Sequence, residues 1–119
     1  MRQPSADHPI TIGRSDKRVT VSFQGQTIVD TRDALVLEEA DLPPVYYVPR
    51  ADARMDLLER SERHSRCPYK GEANYFTIAV AGRRAEDAVW SYENPCPPVA
   101  DIKDRLAFYP DKVQITAEG

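Results

Sequence analysis

Apolar and polar residues alternate with a period of two where Val19, Val21 and Phe23 interleave with Thr20, Ser22 and Gln24. That spacing predicts a strand with one buried face. Gly25-Gln26 reads as a turn and Thr27-Ile28-Val29 as the returning strand of a hairpin. The run Ala34-Leu35-Val36-Leu37 predicts a third strand that ends at Glu38-Glu39, after which Pro43-Pro44 imposes an extended connection. Val45 to Val48 reads as a fourth strand, stopped by Pro49. Asp52 takes the N-cap position of a short helix carrying Met55 and Leu58 on one side, and the polar stretch from Ser61 to Gly71 reads as a loop. Tyr75 to Val80 and Ala88 to Tyr92 form a strand pair about Ala81-Gly82-Arg83. Beyond Pro95, Pro97 and Pro98, the spacing of Val99, Ile102 and Leu106 predicts a second short helix. Ala107-Phe108-Tyr109 and Val113-Gln114-Ile115 close the chain as short strands around Pro110-Asp111. The expectation is a mainly β domain over residues 16–119, built on a compact antiparallel sheet with two short helices, preceded by a flexible tail over residues 1–15.

Composition narrows the class of protein without naming its chemistry. The 119 residues suit one domain, and a chain of this length buries roughly 60–70% of the surface that it exposes when unfolded. A content of 41% hydrophobic and 29% charged residues excludes collagen-like and strongly disordered classes. No apolar run approaches the ~20 residues that a membrane helix needs. Sixteen Lys and Arg against nineteen Asp and Glu leave a net charge of -3, a balance that argues against a nucleic-acid partner. The densest charged stretch, Arg50 to Glu72, mixes both signs and reads as a solvated face rather than a membrane-binding one. The N-terminal residues carry no apolar signal segment, so a cytoplasmic location with both thiols reduced is expected. Cys67 and Cys96 lie too far apart for a zinc knuckle, and His8 and His64 stand alone, so no metal site is expected; a Cys67–Cys96 disulfide stays open geometrically. Neither GxGxxG nor GxxxxGK[ST] occurs, and no pattern specifies a cofactor.

Two groups of residues carry candidate chemistry. In Cys67-Pro68-Tyr69-Lys70-Gly71, a cation three residues from a thiol can lower its pKa and make it a nucleophile, and Gly71 permits the positive φ at which backbone N–H groups converge on an anion. The same segment also reads as a structural cysteine in a turn, with Lys70 solvated. On a strand, Trp90 and Tyr92 point to one face and can stack on a ligand together with Tyr47, or else fill the core. Asp52, near Arg50, serves either as a ligand-binding or general-base carboxylate or as a helix cap.

The ordered set Tyr46-Tyr47-Val48-Pro49-Arg50-Ala51-Asp52, Cys67-Pro68-Tyr69-Lys70-Gly71, Tyr75, Trp90-Ser91-Tyr92 with Pro95, and Ala107-Phe108-Tyr109-Pro110 resembles the bacterial family known as domain of unknown function 427, over about Val19 to Ile115. The family is also labelled nucleotidyltransferase-like. The resemblance implies a compact, mostly antiparallel β arrangement, with a β-tent-like sandwich as its candidate form. It places Tyr47, Pro49, Asp52, Cys67, Lys70, Gly71, Tyr75, Trp90, Tyr92 and Phe108 on family-pattern positions. β-Tent proteins often hold zinc through two CxxC pairs, which this chain lacks.

Three functions follow as expectations. The first is a module binding a small molecule in an aromatic pocket lined by Tyr47, Tyr75, Trp90 and Tyr92 beside the polar groups Asp52 and Lys70, bordered by the Cys67-Lys70 loop, with Arg50 and Gly71 as further binding residues. The second is an enzyme in which Cys67 attacks, Lys70 neutralises an oxyanion or phosphate and Asp52 handles a proton. The third is a homodimer paired through a sheet edge.

Overall fold

The computed structural model describes residues 2–119. Among these residues ten strands follow one another: β1 (Ile10–Arg14), β2 (Arg18–Phe23), β3 (Gln26–Thr31), β4 (Leu35–Glu39), β5 (Val45–Tyr47), β6 (Leu58–Cys67), β7 (Gly71–Val80), β8 (Arg83–Ser91), β9 (Ala107–Phe108) and β10 (Gln114–Glu118). They form three antiparallel sheets, ordered β1-β4-β5, β10-β2-β3 and β6-β7-β8-β9. The fold is mainly β, as the alternation predicts. The hairpin β2–β3 turns at Gln24-Gly25, where φ is 52° and 77°, and β7–β8 turns likewise at Ala81-Gly82. Two successive positive φ values give the twist that a two-residue hairpin requires.

Both faces of the four-stranded sheet are buried. Along β7, Ala73 and Tyr75 join one apolar cluster with Leu35 and Leu37 of β4, Tyr47 of β5 and Tyr92. Phe76 and Ile78 join another with Val19 and Val21 of β2 and Ile28 and Val29 of β3. Alternation along a strand sends neighbouring side chains to opposite faces, so β7 is clad by one small sheet on each side. Val48 and Leu106 exchange two backbone hydrogen bonds of 2.9 Å and tie the end of β5 to the segment before β9. No helix among the described residues is long and apolar enough to cross a membrane.

Four expectations need correction. The stretch from Ser61 to Gly71, expected as a loop, is most of the ten-residue strand β6 and the start of β7. Its polar composition is compatible with a strand because it stands at a sheet edge, where charged side chains face solvent and block further pairing. The Arg60 guanidinium lies 5.0 Å over the Phe76 ring and that of Arg63 4.5 Å over Tyr75, so cations of the edge strand cover aromatic surface. The expected helix after Asp52 is instead a pair of single 3-10 turns, Arg50–Asp52 and Met55–Leu57, and Leu58 already belongs to β6. The second expected helix is a 3-10 segment over Pro97–Ile102, kinked at Val99 and ended by the left-handed Asp104. Residues 1–15, expected as a flexible tail, include β1, which pairs with β4 along its whole length. Cys67 and Cys96 are both free thiols, so the disulfide that the sequence left open is not formed.

Candidate functional site

Tyr47 at the end of β5, Tyr75 in the middle of β7, and Trp90 and Tyr92 at the end of β8 converge from two sheets on one cavity of about 220 Å³. Tyr109, which follows β9, completes its aromatic wall, and Leu37, Leu42, Pro43 and Val45 close it from the β4–β5 side. Trp90 Nε1 donates to the Tyr47 hydroxyl at 3.2 Å, with the two rings edge to face at 6.4 Å. The Tyr109 ring packs on Trp90 at 4.5 Å, and its hydroxyl lies 3.5 Å from that of Tyr75, which in turn is 2.7 Å from Ser65 Oγ. Tyr92, 6% exposed, makes no side-chain hydrogen bond to any described residue. Burial pushes the hydroxyls of Tyr47 and Tyr92 well above the ordinary tyrosine range, and that of Tyr109 up to about 12, where the hydrogen bond with Tyr75 adds to the burial. These phenols therefore keep their protons at neutral pH and act as hydrogen-bond donors.

The polar end of the cavity is an ion pair between Lys70 and Glu39, with side chains only 12% and 9% exposed. The other oxygen of Glu39 lies 2.7 Å from His8 Nε2, and the His8 ring is stacked on Tyr69 at 3.9 Å. Burial alone pushes the Glu39 carboxyl up, but the hydrogen bonds from Lys70 and His8 outweigh it and hold the group below its ordinary value. Glu39 is thus ionised and fixes the position of Lys70.

The loop geometry that presents Lys70 depends on Gly71, whose φ is 109°. A Cβ there would meet Asn94 O at 3.3 Å and Cys96 N at 3.4 Å. Cys96 N also donates to Lys70 O at 2.9 Å, so the turn between β6 and β7 is clamped against the segment after β8. Gly71 serves this clamp and does not line the aromatic cavity.

The cavity brings together five of the nine candidate residues: Tyr47, Lys70, Tyr75, Trp90 and Tyr92. Cys67, half-buried at the end of β6, packs against the apolar cluster that includes Tyr47, Tyr75 and Tyr92 and is not among the residues lining the cavity. Arg50 acts as a strut. It donates to Asp104 O at 2.6 Å, to Ser91 Oγ at 3.0 Å and to Glu93 at 2.9 Å. Asp52 accepts from Thr31 Oγ1 at 2.7 Å and lines a separate shallow depression beside β3. It caps no helix: it is the last residue of the first 3-10 turn, and the next turn starts from Arg54 with no side-chain cap bond. The triad Cys67, Lys70 and Asp52 is therefore not assembled in one place.

Glu39, His8 and Tyr109 are the site residues that the sequence reading missed. Glu38-Glu39 reads locally as the polar end of a strand, and His8 as a solitary histidine in a tail. Tyr109 belongs to the Ala107-Phe108-Tyr109-Pro110 motif, the one signal in the sequence that points to it. Among the described residues, no three His, Cys, Asp or Glu side chains converge as a metal-ligand set.

The model of NTP_transf_9, described as a domain of unknown function (DUF427), matches residues 11–119. The chain belongs to the DUF427 family. No curated protein matches the chain. The match covers β1 from Thr11 onward and every residue of the aromatic cavity.

Proposed function

We propose that this DUF427 protein is a binding module for a small organic molecule, held in the cavity between β5, β7 and β8. The observation that carries this reading is the convergence of Tyr47, Tyr75, Trp90, Tyr92 and Tyr109 with the Lys70–Glu39 pair in one concavity. Small-molecule sites combine apolar and aromatic walls with a few fixed polar groups, which is the composition of this wall. Aromatic faces supply stacking area, and the phenol and ammonium protons supply direction. A catalytic role through Cys67, Lys70 and Asp52 has no comparable support, because Asp52 is bound to Thr31 and lines a different depression.

Trp90 is the single tryptophan of the chain and stands in the cavity wall, so tryptophan fluorescence reports on the surroundings of this one side chain. The test is a titration of the purified protein with aromatic carboxylates, amino acids, nucleotides and sugar phosphates, read by Trp90 emission and by thermal shift. A ligand at ~100 times its Kd adds roughly 2.7 kcal/mol, which in a domain of this size is a shift of roughly 10 °C. The expected result is one ligand class that changes Trp90 emission and raises Tm in the parent and loses affinity in Lys70→Met. Silence in both readouts across all classes would overturn the reading.

A further inference from the structure

A second cavity, of about 470 Å³, lies against the first, and Leu42, Pro43, Val45 and Trp90 line both. The two differ sharply in chemistry. The first holds Lys70, Glu39 and the tyrosine hydroxyls. The second has no charged residue in its wall, which is built from Val19, Val21, Tyr46, Val48, Phe108 and Ile115 with the shared residues and two further prolines. Over the boundary stands Leu42, 59% exposed and the one large hydrophobic residue so exposed among those described. It sits in the β4–β5 connection, after the left-handed Ala40 and before Pro43-Pro44. An exposed leucine at the common rim of two cavities is apolar surface that a ligand lying across them would cover.

The polar end also shows which headgroup fits. The Tyr92 hydroxyl has no protein partner among the described residues. The Tyr47 hydroxyl accepts from Trp90 and keeps its own proton to donate. Lys70 bonds Glu39 and has further N–H groups. Glu39, the one acceptor with full charge, is already engaged by Lys70 and His8. The cavity therefore presents unspent donors and no unspent carboxylate.

We infer that the two cavities are halves of one site for an amphipathic organic acid. The carboxylate lies among Lys70, Tyr47 and Tyr92, an aromatic or unsaturated body lies on Trp90, and an apolar tail passes beneath Leu42 into the second cavity. This inference rests on the binding reading above and adds the class of ligand to it.

The test uses a series of probes on the full chain: benzoate, 4-ethylbenzoate, 4-butylbenzoate and 4-hexylbenzoate, titrated against Trp90 emission. Each methylene taken into an apolar cavity improves binding about fourfold, so Kd is expected to fall steeply along the series. The filling variant Ile115→Trp removes space from the second cavity only. Read by calorimetry because it adds a second tryptophan, it is expected to bind benzoate as the parent does and to lose the gain from the longer tails. A constant Kd along the series, with benzoate still bound, overturns the two-chamber inference and leaves the binding module standing. No binding by any member of the series overturns the inference, and the module reading falls only if the wider panel is silent too. A third arm compares 4-butylbenzoate with 4-butylbenzamide and 4-butylbenzylammonium. The carboxylate is expected to bind tightest, and tightest binding by the ammonium would show that Glu39 is the anchor and overturn the headgroup assignment. The wild-type series carries the test alone if Ile115→Trp fails to fold.

Discussion

Replacing Lys70 by methionine keeps the length and apolar stem of the side chain and removes only the ammonium. Glu39, 9% exposed, then stays ionised in a wall with His8 as its remaining partner. Removing one partner of a buried pair costs ~3–5 kcal/mol, because the other charge is left without compensation. Here the pair borders a cavity that admits water and His8 keeps its contact, so the expected loss falls to the bottom of that range or below it, about 2–3 kcal/mol. With an unfolding entropy of about 2.1 cal/mol/K per residue, that is a fall in Tm of about 8–12 °C for this chain. Scanning calorimetry at pH 7 measures it. Two further readouts separate the charge effect from simple loss of packing. First, the folded Glu39 carboxyl titrates below its ordinary value of 4.5, so its stabilising contribution is fully present above that pH and is lost as pH falls through the folded value. In Lys70→Met, burial raises the carboxyl instead, so acidification relieves the unpaired charge and the gap between parent and variant narrows as pH falls from 7 toward 4. Second, Glu39→Gln in the Lys70→Met background removes the stranded charge and is expected to restore part of the lost stability, with a coupling of at least ~1 kcal/mol. A loss below ~0.5 kcal/mol, or a gap that stays constant with pH, would refute the reasoning.

Three other substitutions probe the site. Tyr92→Phe removes a hydroxyl with no protein partner, so urea unfolding is expected to match the parent within ~0.5 kcal/mol while the affinity for a carboxylate probe falls severalfold. A destabilised Tyr92→Phe would place that hydroxyl in the protein's own hydrogen bonding. Gly71→Ala forces a side chain onto a φ of 109° and against Asn94 O; it is expected to cost ~1–3 kcal/mol by chemical denaturation and to weaken binding through displacement of Lys70. Asp52→Ala strips Thr31 of its carboxylate partner. The expected cost is ~1–2 kcal/mol of stability with probe affinity unchanged in a fluorescence titration, and loss of binding would return Asp52 to the functional site.

Much of the framework was legible in local pattern. Val19 to Phe23 alternate strictly, and the two-residue hairpin turns carry glycine where positive φ is needed, so β2–β3 and β7–β8 follow from neighbouring residues alone. The aromatic side of the site was legible for the same reason, since Trp90 and Tyr92 share a strand face whatever lies opposite. The strand β6 was not, because its pairing with β7 comes from backbone groups and its side chains read as loop or solvated surface.

By itself, then, the order of residues determined the mainly β class, the hairpins and the set of aromatic side chains available to a site. Tertiary structure decided which polar groups meet them. Lys70 and Glu39 lie 31 residues apart, as do His8 and Glu39, and no local periodicity relates them. They meet because β4 carries Glu39 to the edge of the cavity beside β5 while the Gly71 clamp turns Lys70 inward from the other sheet. The same packing parts Asp52 from Lys70 and sets Cys67 against the apolar cluster rather than in the cavity lining. Strand propensity is a property of a few adjacent residues, whereas the position of a buried charge depends on whether a partner from another element arrives to offset its desolvation.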